Sequence, residues 1–191
     1  LFYIGAGTSG RLGILDATEC PPTFGTEPEM IQGLIAGGRE AVFRSVEGAE
    51  DDARGALGEL EEHELARGDV VVGIAASGVT PYVIGGLEYA ASKGCKTILI
   101  SSSQSAAASA RADVKIVPEV GPEVITGSTR MKAGTATKLV LNMISTASMV
   151  ALGKTYGNLM IDLQPRNAKL RNRSIRILCH LADIEENAAR E

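Results

Sequence analysis

The sequence predicts a doubly wound α/β fold, a five-stranded parallel sheet flanked by helices, on three observations. Strand-length apolar runs alternate with helix-length segments at intervals that suit parallel crossovers. One of them, Asp69 to Ala76 (DVVVGIAA), is apolar throughout, as a strand covered on both faces requires. The chain also opens on LFYIGAGTSGRLGILDATECPP, which reads as an apolar strand, a glycine-rich turn and a helix. At 191 residues it is long enough for one full core.

Each element has a local reason. After the first strand and helix, Cys20-Pro21-Pro22 is expected to stop the helix, because proline lacks the amide donor and restricts the residue before it. Met30 to Ala36 reads as the second strand, broken by Gly37-Gly38, and Arg39 to Val46 as a short helix. The acidic stretch from Glu47 to Asp52 opens a helix running to about Leu65, where carboxylates suit the positive helix end. Asp69 to Ala76 is the third strand. Pro81 stands where a first helical position tolerates a missing donor, and Gly94 is a sensible stop for the helix from Pro81 to Lys93. Lys96 to Ser101 and Asp113 to Val117 are the fourth and fifth strands. Met131 to Leu152 is a long helix; its apolar run from Leu139 is too short and too interrupted for a membrane span and is expected to lie in the core. Asn167 to Leu181 carries Arg and Lys between Leu and Ile at helical spacing, as a solvated or interfacial helix does.

Composition narrows the classes of function. A net charge of −4 without a basic stripe argues against nucleic acid or an anionic membrane as partner. Cys20, Cys95 and Cys179 are odd in number and far apart, which disfavours a disulfide framework or a zinc site and suits a reducing cytoplasm. The two histidines, His63 and His180, have no second ligand type beside them, so no metal is expected. The chain starts without methionine, inside a strand, and ends on the charged run Glu185 to Glu191. It reads as a portion of a longer protein.

The opening glycines carry chemistry. Gly5, Gly7 and Gly10 let the backbone bend and approach a ligand, and Thr8 and Ser9 add hydroxyls where a helix begins, a composition suited to an anion. The spacing also fits G-x-G-x-x-G, but that fingerprint needs an acid at the tip of the second strand, where Ala36-Gly37-Gly38 stands. A compact phosphate is therefore preferred to a dinucleotide. Two more loops at the carboxyl edge of the sheet, Ala76 to Thr80 and Ser101 to Ser105, are rich in serine, threonine and glycine. Three such loops on one edge favour a polyol or phosphate pocket. Gly121 to Thr137 adds Ser128, Thr129, Arg130 and Lys132 at the start of the long helix, where a lysine opposes the helix dipole and so invites a ligand or a salt bridge.

The stretches GAGTSGRLGILDATECPPTFG, VEGAEDD, VVVGIAASGVTPYVIGGLEYA and GSTRMKAGTATKLVLNM, in that order, resemble the N-acetylmuramic acid 6-phosphate etherase family, enzymes of the sugar isomerase (SIS) fold in bacterial cell-wall recycling. The resemblance implies an SIS phosphosugar-binding domain over residues 1–160, lacking an N-terminal helical part, and the start of a C-terminal helical region over 161–191. It implies Glu19 as general acid and Glu50 as general base. Thr8, Ser9 and Gly10 fall on the first phosphosugar loop, Ser77 and Gly78 on the second, and Ser128, Thr129 and Lys132 in the third motif, with Ser101 on the remaining edge loop. The family pattern leads one to expect arginine at Val79 and Asn-Pro at Ser103-Gln104. The implied reaction is loss of D-lactate from N-acetylmuramic acid 6-phosphate, with neither metal nor cofactor, in a cytoplasmic homodimer whose pocket lies near the subunit boundary. An SIS isomerase and a non-catalytic phosphosugar sensor resembling the glucokinase regulatory protein are the alternatives; lactate release separates them.

Overall fold

The computed structural model describes residues 1–165 and 167–190. Five strands, β1 (Phe2–Gly5), β2 (Gln32–Ile35), β3 (Val70–Ile74), β4 (Lys96–Ile100) and β5 (Val114–Ile116), form one sheet in the order β2-β1-β3-β4-β5, every neighbour parallel. The register sets Gly5 opposite both Ile35 and Ile74, so β1, β2 and β3 end level at the carboxyl edge. From β1 the chain passes to β2 on one side and then returns across β1 to β3 on the other. The crevice of such a sheet opens where the strand order reverses, above β1 and β3.

Among the described residues eight α-helices connect or follow the strands: α1 (Gly7–Phe24), α2 (Gly38–Phe43), α3 (Gly55–Glu62), α4 (Pro81–Ser92), α5 (Gln104–Ser109), α6 (Lys132–Ala151), α7 (Ala168–Ala182) and α8 (Glu186–Arg190). Strand alternation divides the core between two faces. Phe2, Ile4, Val71 and Leu99 pack with Leu60 of α3 and Val83 and Leu87 of α4. Tyr3, Val72, Ile74 and Ile100 pack with Ala17, Cys20 and Phe24 of α1 and with Val140, Leu141 and Met149 of α6. α7 and α8 pack on one another.

The predicted strands and most helices are present, with four differences. First, α1 does not stop at Cys20: it runs through Pro21 and Pro22 to Phe24 and ends at Gly25, whose left-handed backbone lets its N–H reach the Pro21 carbonyl at 3.0 Å. Two prolines are tolerated in the last turn because burial of Cys20 and Phe24 holds that turn on the sheet. Second, Met30 leaves β2 and joins a 3-10 turn, Pro28–Met30. Third, the acidic stretch makes a separate 3-10 turn, Ala49–Asp51, before α3. The Asp52 carboxylate accepts the Arg54 N–H at 2.9 Å, a local side-chain turn that competes with continuous helix. Fourth, α6 is buried on one face only: Leu139, Met143 and Val150 are 53%, 61% and 52% exposed.

Asp16 ties this frame together. It is only 4% exposed, and its carboxylate accepts hydrogen bonds from the Tyr3 hydroxyl (2.9 Å), Asn142 Nδ2 (2.6 Å) and Ser145 Oγ (3.1 Å), joining β1, α1 and α6.

Candidate active site

The carboxyl ends of β1 and β3 carry the first two loops. Ala6 precedes α1 without a side-chain cap, so the amides of Gly7, Thr8 and Ser9 have no intrahelical acceptor and point the positive end of an 18-residue helix at the crevice. Among the described residues no hydrogen bond occupies the hydroxyl of Thr8 or Ser9. Gly10 differs. Its N–H returns to the Ala6 carbonyl at 3.3 Å, and a Cβ there would lie 2.5 Å from Ile35 Cγ1 and 2.7 Å from the Gly5 carbonyl oxygen. That glycine lets α1 lie against β1 and β2.

In the second loop Gly78 adopts φ 75°, and its N–H donates to the Ala75 carbonyl at 2.8 Å. Ser77 Oγ accepts the Val79 N–H at 3.4 Å, which leaves the hydroxyl proton available. Val79, where arginine was the expectation, is 64% exposed on the same loop. The third loop lies beneath: a Cβ on Gly78 would fall 2.9 Å from Ser101 Oγ. Ser101 is buried, donating to the Ala76 carbonyl (3.3 Å) and accepting the Ser103 N–H (3.1 Å). Its hydroxyl is thus a brace between two loops. Its neighbour Ser102, which sequence reasoning did not single out, has a buried Oγ without a hydrogen-bond partner among the described residues.

The third motif meets the first loop through helix packing. A Cβ on Gly134 would lie 3.5 Å from the Thr8 methyl, so the first turns of α6 and α1 sit side by side. Ser128 and Thr129 belong to the turn leading into α6; the Ser128 N–H donates to Ile125, and the Thr129 carbonyl accepts the Gly134 N–H. Lys132 is exposed at the first position of α6. Sequence reading did not identify Glu123, whose carboxylate accepts the Ala133 N–H (3.0 Å) and the Lys132 N–H (3.1 Å) and so caps α6. The Ala133 amide first, then the Lys132 amide and the nearby Lys132 and Arg130 charges, hold its pKa below the ordinary value of 4.5.

Because folding lowers that value, the cap stabilises the fold fully above the unfolded value and loses its effect as pH falls through 4.5 toward the folded value. Glu123→Gln should therefore lower the thermal midpoint at neutral pH, and the gap from wild type should close in acid. A gap independent of pH in a melting series would show that the carboxylate charge is not what caps α6.

Glu50 stands on the opposite flank of α1. It lines a cavity of about 190 Å³ together with Gly7, Arg11, Arg44 and Glu47. One crevice is thus lined by the uncapped start of α1, by Glu50 and by Arg11. Glu19 is not in it. It lies on α1 twelve residues beyond Gly7, about 18 Å farther along the axis at 1.5 Å per residue, and is exposed near the opposite end of the sheet. Of the predicted residues, the fold gathers Thr8, Ser9, Ser77, Gly78 and Glu50 at the carboxyl edge with the α6 start beside them. It separates Glu19 from Glu50 within one chain.

Two family models match: the glucokinase regulatory protein N-terminal SIS domain over residues 1–91 and the SIS domain over residues 58–147. Proteins named N-acetylmuramic acid 6-phosphate etherase match along the whole chain. The one from Oenococcus oeni is 59% identical over 100% of this chain and 64% of its own length. That from Gloeobacter violaceus is 59% identical over 99% and 62%, and that from Clostridium acetobutylicum 57% identical over 100% and 63%. The chain therefore spans less than two thirds of these relatives. The matched stretch runs across the start of α1, the Glu50 turn and the start of α6, and over it the chain is similar to SIS domains and to proteins named N-acetylmuramic acid 6-phosphate etherase.

Proposed function

We propose that the protein is a lyase that converts N-acetylmuramic acid 6-phosphate and water to N-acetylglucosamine 6-phosphate and D-lactate, in a cytoplasmic homodimer of amino-sugar recycling. The observation that carries this reading is that Glu50 and the uncapped start of α1 line one cavity. The helix start, with the Thr8, Ser9 and Ser77 hydroxyls, takes the 6-phosphate; Gly78 shapes its loop, and Ser128, Thr129 and Lys132 close the pocket from α6. Residues 1–160 form the phosphosugar-binding domain, and 161–191 begin a helical region. The three cysteines are free, in keeping with a reducing compartment. No helix among the described residues is long and apolar enough to cross a membrane.

The chemistry follows from the substrate. In the open-chain sugar the ether at C3 lies β to the C1 aldehyde, so the C2 proton is acidic. Glu50 removes that proton. The resulting enolate expels the lactyl oxygen, which takes a proton from Glu19, and a C2–C3 double bond forms. Water then adds at C3 and a proton returns to C2, restoring the sugar. Each proton transfer contributes about 10²–10⁴-fold.

The position of Glu19 favours a site built from two chains. Because Glu19 stands about 18 Å down α1 from Gly7, this reading assigns the acid at each Glu50 crevice to the Glu19 of a second, antiparallel copy. Leu139, Met143 and Val150, spaced along one exposed face of α6, supply an apolar surface for that copy.

Mixing full-length Glu19→Gln and Glu50→Gln proteins under conditions of subunit exchange tests both function and assembly. Each variant alone should release little lactate. In the mixture one site of every mixed dimer recovers both wild-type carboxylates, giving about a quarter of wild-type activity at random association. No recovery after demonstrated exchange would place both carboxylates within one chain. Sugar binding by the wild type without lactate release would turn the reading toward a sensor.

A further inference from the structure

Arg11 lies one turn into α1 and has no carboxylate partner among the described residues. Its guanidinium grips backbone. Nε donates to the Val42 carbonyl at 2.9 Å, and one terminal nitrogen donates to the Ala41 carbonyl at 2.8 Å and the Arg44 carbonyl at 3.1 Å. These oxygens belong to the end of α2, where a helix runs out of its own donors; there the Arg44 N–H folds back to Glu40. A helix of six residues has little stability by itself, so its placement depends on outside contacts of this kind.

The chain leaving α2 is Arg44 to Gly48, and it leads directly to Glu50. Its other side-chain ties are local and exposed, the Ser45 hydroxyl donating to Glu47 at 3.0 Å and the Arg44 guanidinium pairing with Glu40 at 3.4 Å. The same segment forms the rim of the cavity that Gly7, Arg11 and Glu50 share.

We propose that Arg11 is the positioning residue of the Glu50 base. From α1 it clamps the α2 end and the loop behind it, fixing the carboxylate relative to the helix start that holds the phosphate. A single helix thereby sets both the anchor point of the sugar and the approach of the group that takes its C2 proton. A guanidinium fork spans three carbonyls, which a lysine ammonium on a flexible stem does not reproduce. The inference rests on the reading of Glu50 as base.

The test compares full-length wild type, Arg11→Ala and Arg11→Lys in exchange of the C2 hydrogen of N-acetylmuramic acid 6-phosphate with heavy water. Both substitutions should lower kcat for exchange by about 10²-fold while KM stays close to wild type, because the base is misplaced and the cradle is not. Millimolar guanidinium should restore part of the rate to Arg11→Ala and leave Arg11→Lys and wild type unchanged. Wild-type exchange in both variants, loss confined to KM, or no response to guanidinium in an Arg11→Ala protein with a wild-type melting point would overturn the inference. Where Arg11→Ala does not fold, the kcat and KM of Arg11→Lys decide it. Glu50→Gln run in parallel keeps the two readings apart. If it exchanges at the wild-type rate, the base reading fails and the inference with it. If it is inactive while the Arg11 variants behave as wild type, only the inference fails.

Discussion

Replacing Glu50 by glutamine should abolish both exchange of the C2 hydrogen with heavy water and release of lactate, each by about 10²–10⁴-fold. Glu19→Gln should lose lactate release to a similar extent yet retain measurable C2 exchange. The asymmetry follows from the order of bond changes: proton removal at C2 needs only the base, whereas departure of an alkoxide as poor as lactate needs the acid. Product formed in oxygen-18 water should carry the label on the sugar at C3. Label on the lactate hydroxyl would mean cleavage on the lactate side of the ether, and both role assignments would have to be withdrawn.

Asp16→Ala should cost about 3 kcal/mol in chemical denaturation, the largest loss of stability expected from a single polar substitution in this chain. The change removes no neighbour, but it strands the Tyr3 hydroxyl, Asn142 Nδ2 and Ser145 Oγ around a site that is 4% exposed. Burial, reinforced by the Asp16 charge and hydrogen bond, pushes the pKa of the Tyr3 hydroxyl far above its ordinary value, so it remains a donor. Burial likewise raises the Cys20 thiol to about 11, which leaves it a protonated packing group one turn along. Glu40→Ala, which breaks an exposed pair with Arg44, should shift stability by well under 1 kcal/mol. Equal losses in the two variants would show that Asp16 is not the hub its contacts describe.

The fold was legible because its signals are local and agree with one another. The apolar run before Ala76 became β3, Pro81 took the first position of α4, and Gly94 follows its end with φ 78°. The failures come from interactions that cross the chain. Pro21 and Pro22 break helices by local rules, but burial of Cys20 and Phe24 carries α1 through them. The apolar α6 looked like a core helix because hydropathy does not distinguish a face covered within the chain from one left exposed. At the candidate site, the glycines and hydroxyls could be read as a group from the sequence, whereas the packing of Gly10 against Ile35 and the bracing of two loops by Ser101 could not. Arg11 and Glu123 left no signal, since each acts on backbone groups contributed by distant segments. The placement of Glu19 was latent in helix rise alone: twelve residues from Gly7 is too far to share its crevice.

The Asp16 hub also bears on how the chain reaches its native state. Its partners Asn142 and Ser145 lie 126 and 129 residues away in sequence. Contacts that close so long a loop form late, after local helices and neighbouring strands, and contribute to slow folding. During synthesis, therefore, β1 through β5 can emerge and pair while the face that awaits α6 stays uncovered, with Asp16, Tyr3 and the apolar residues around them in contact with water. On this order of events the nascent chain passes through a stage in which its sheet is formed but covered on one face only, and its protection from aggregation waits on α6.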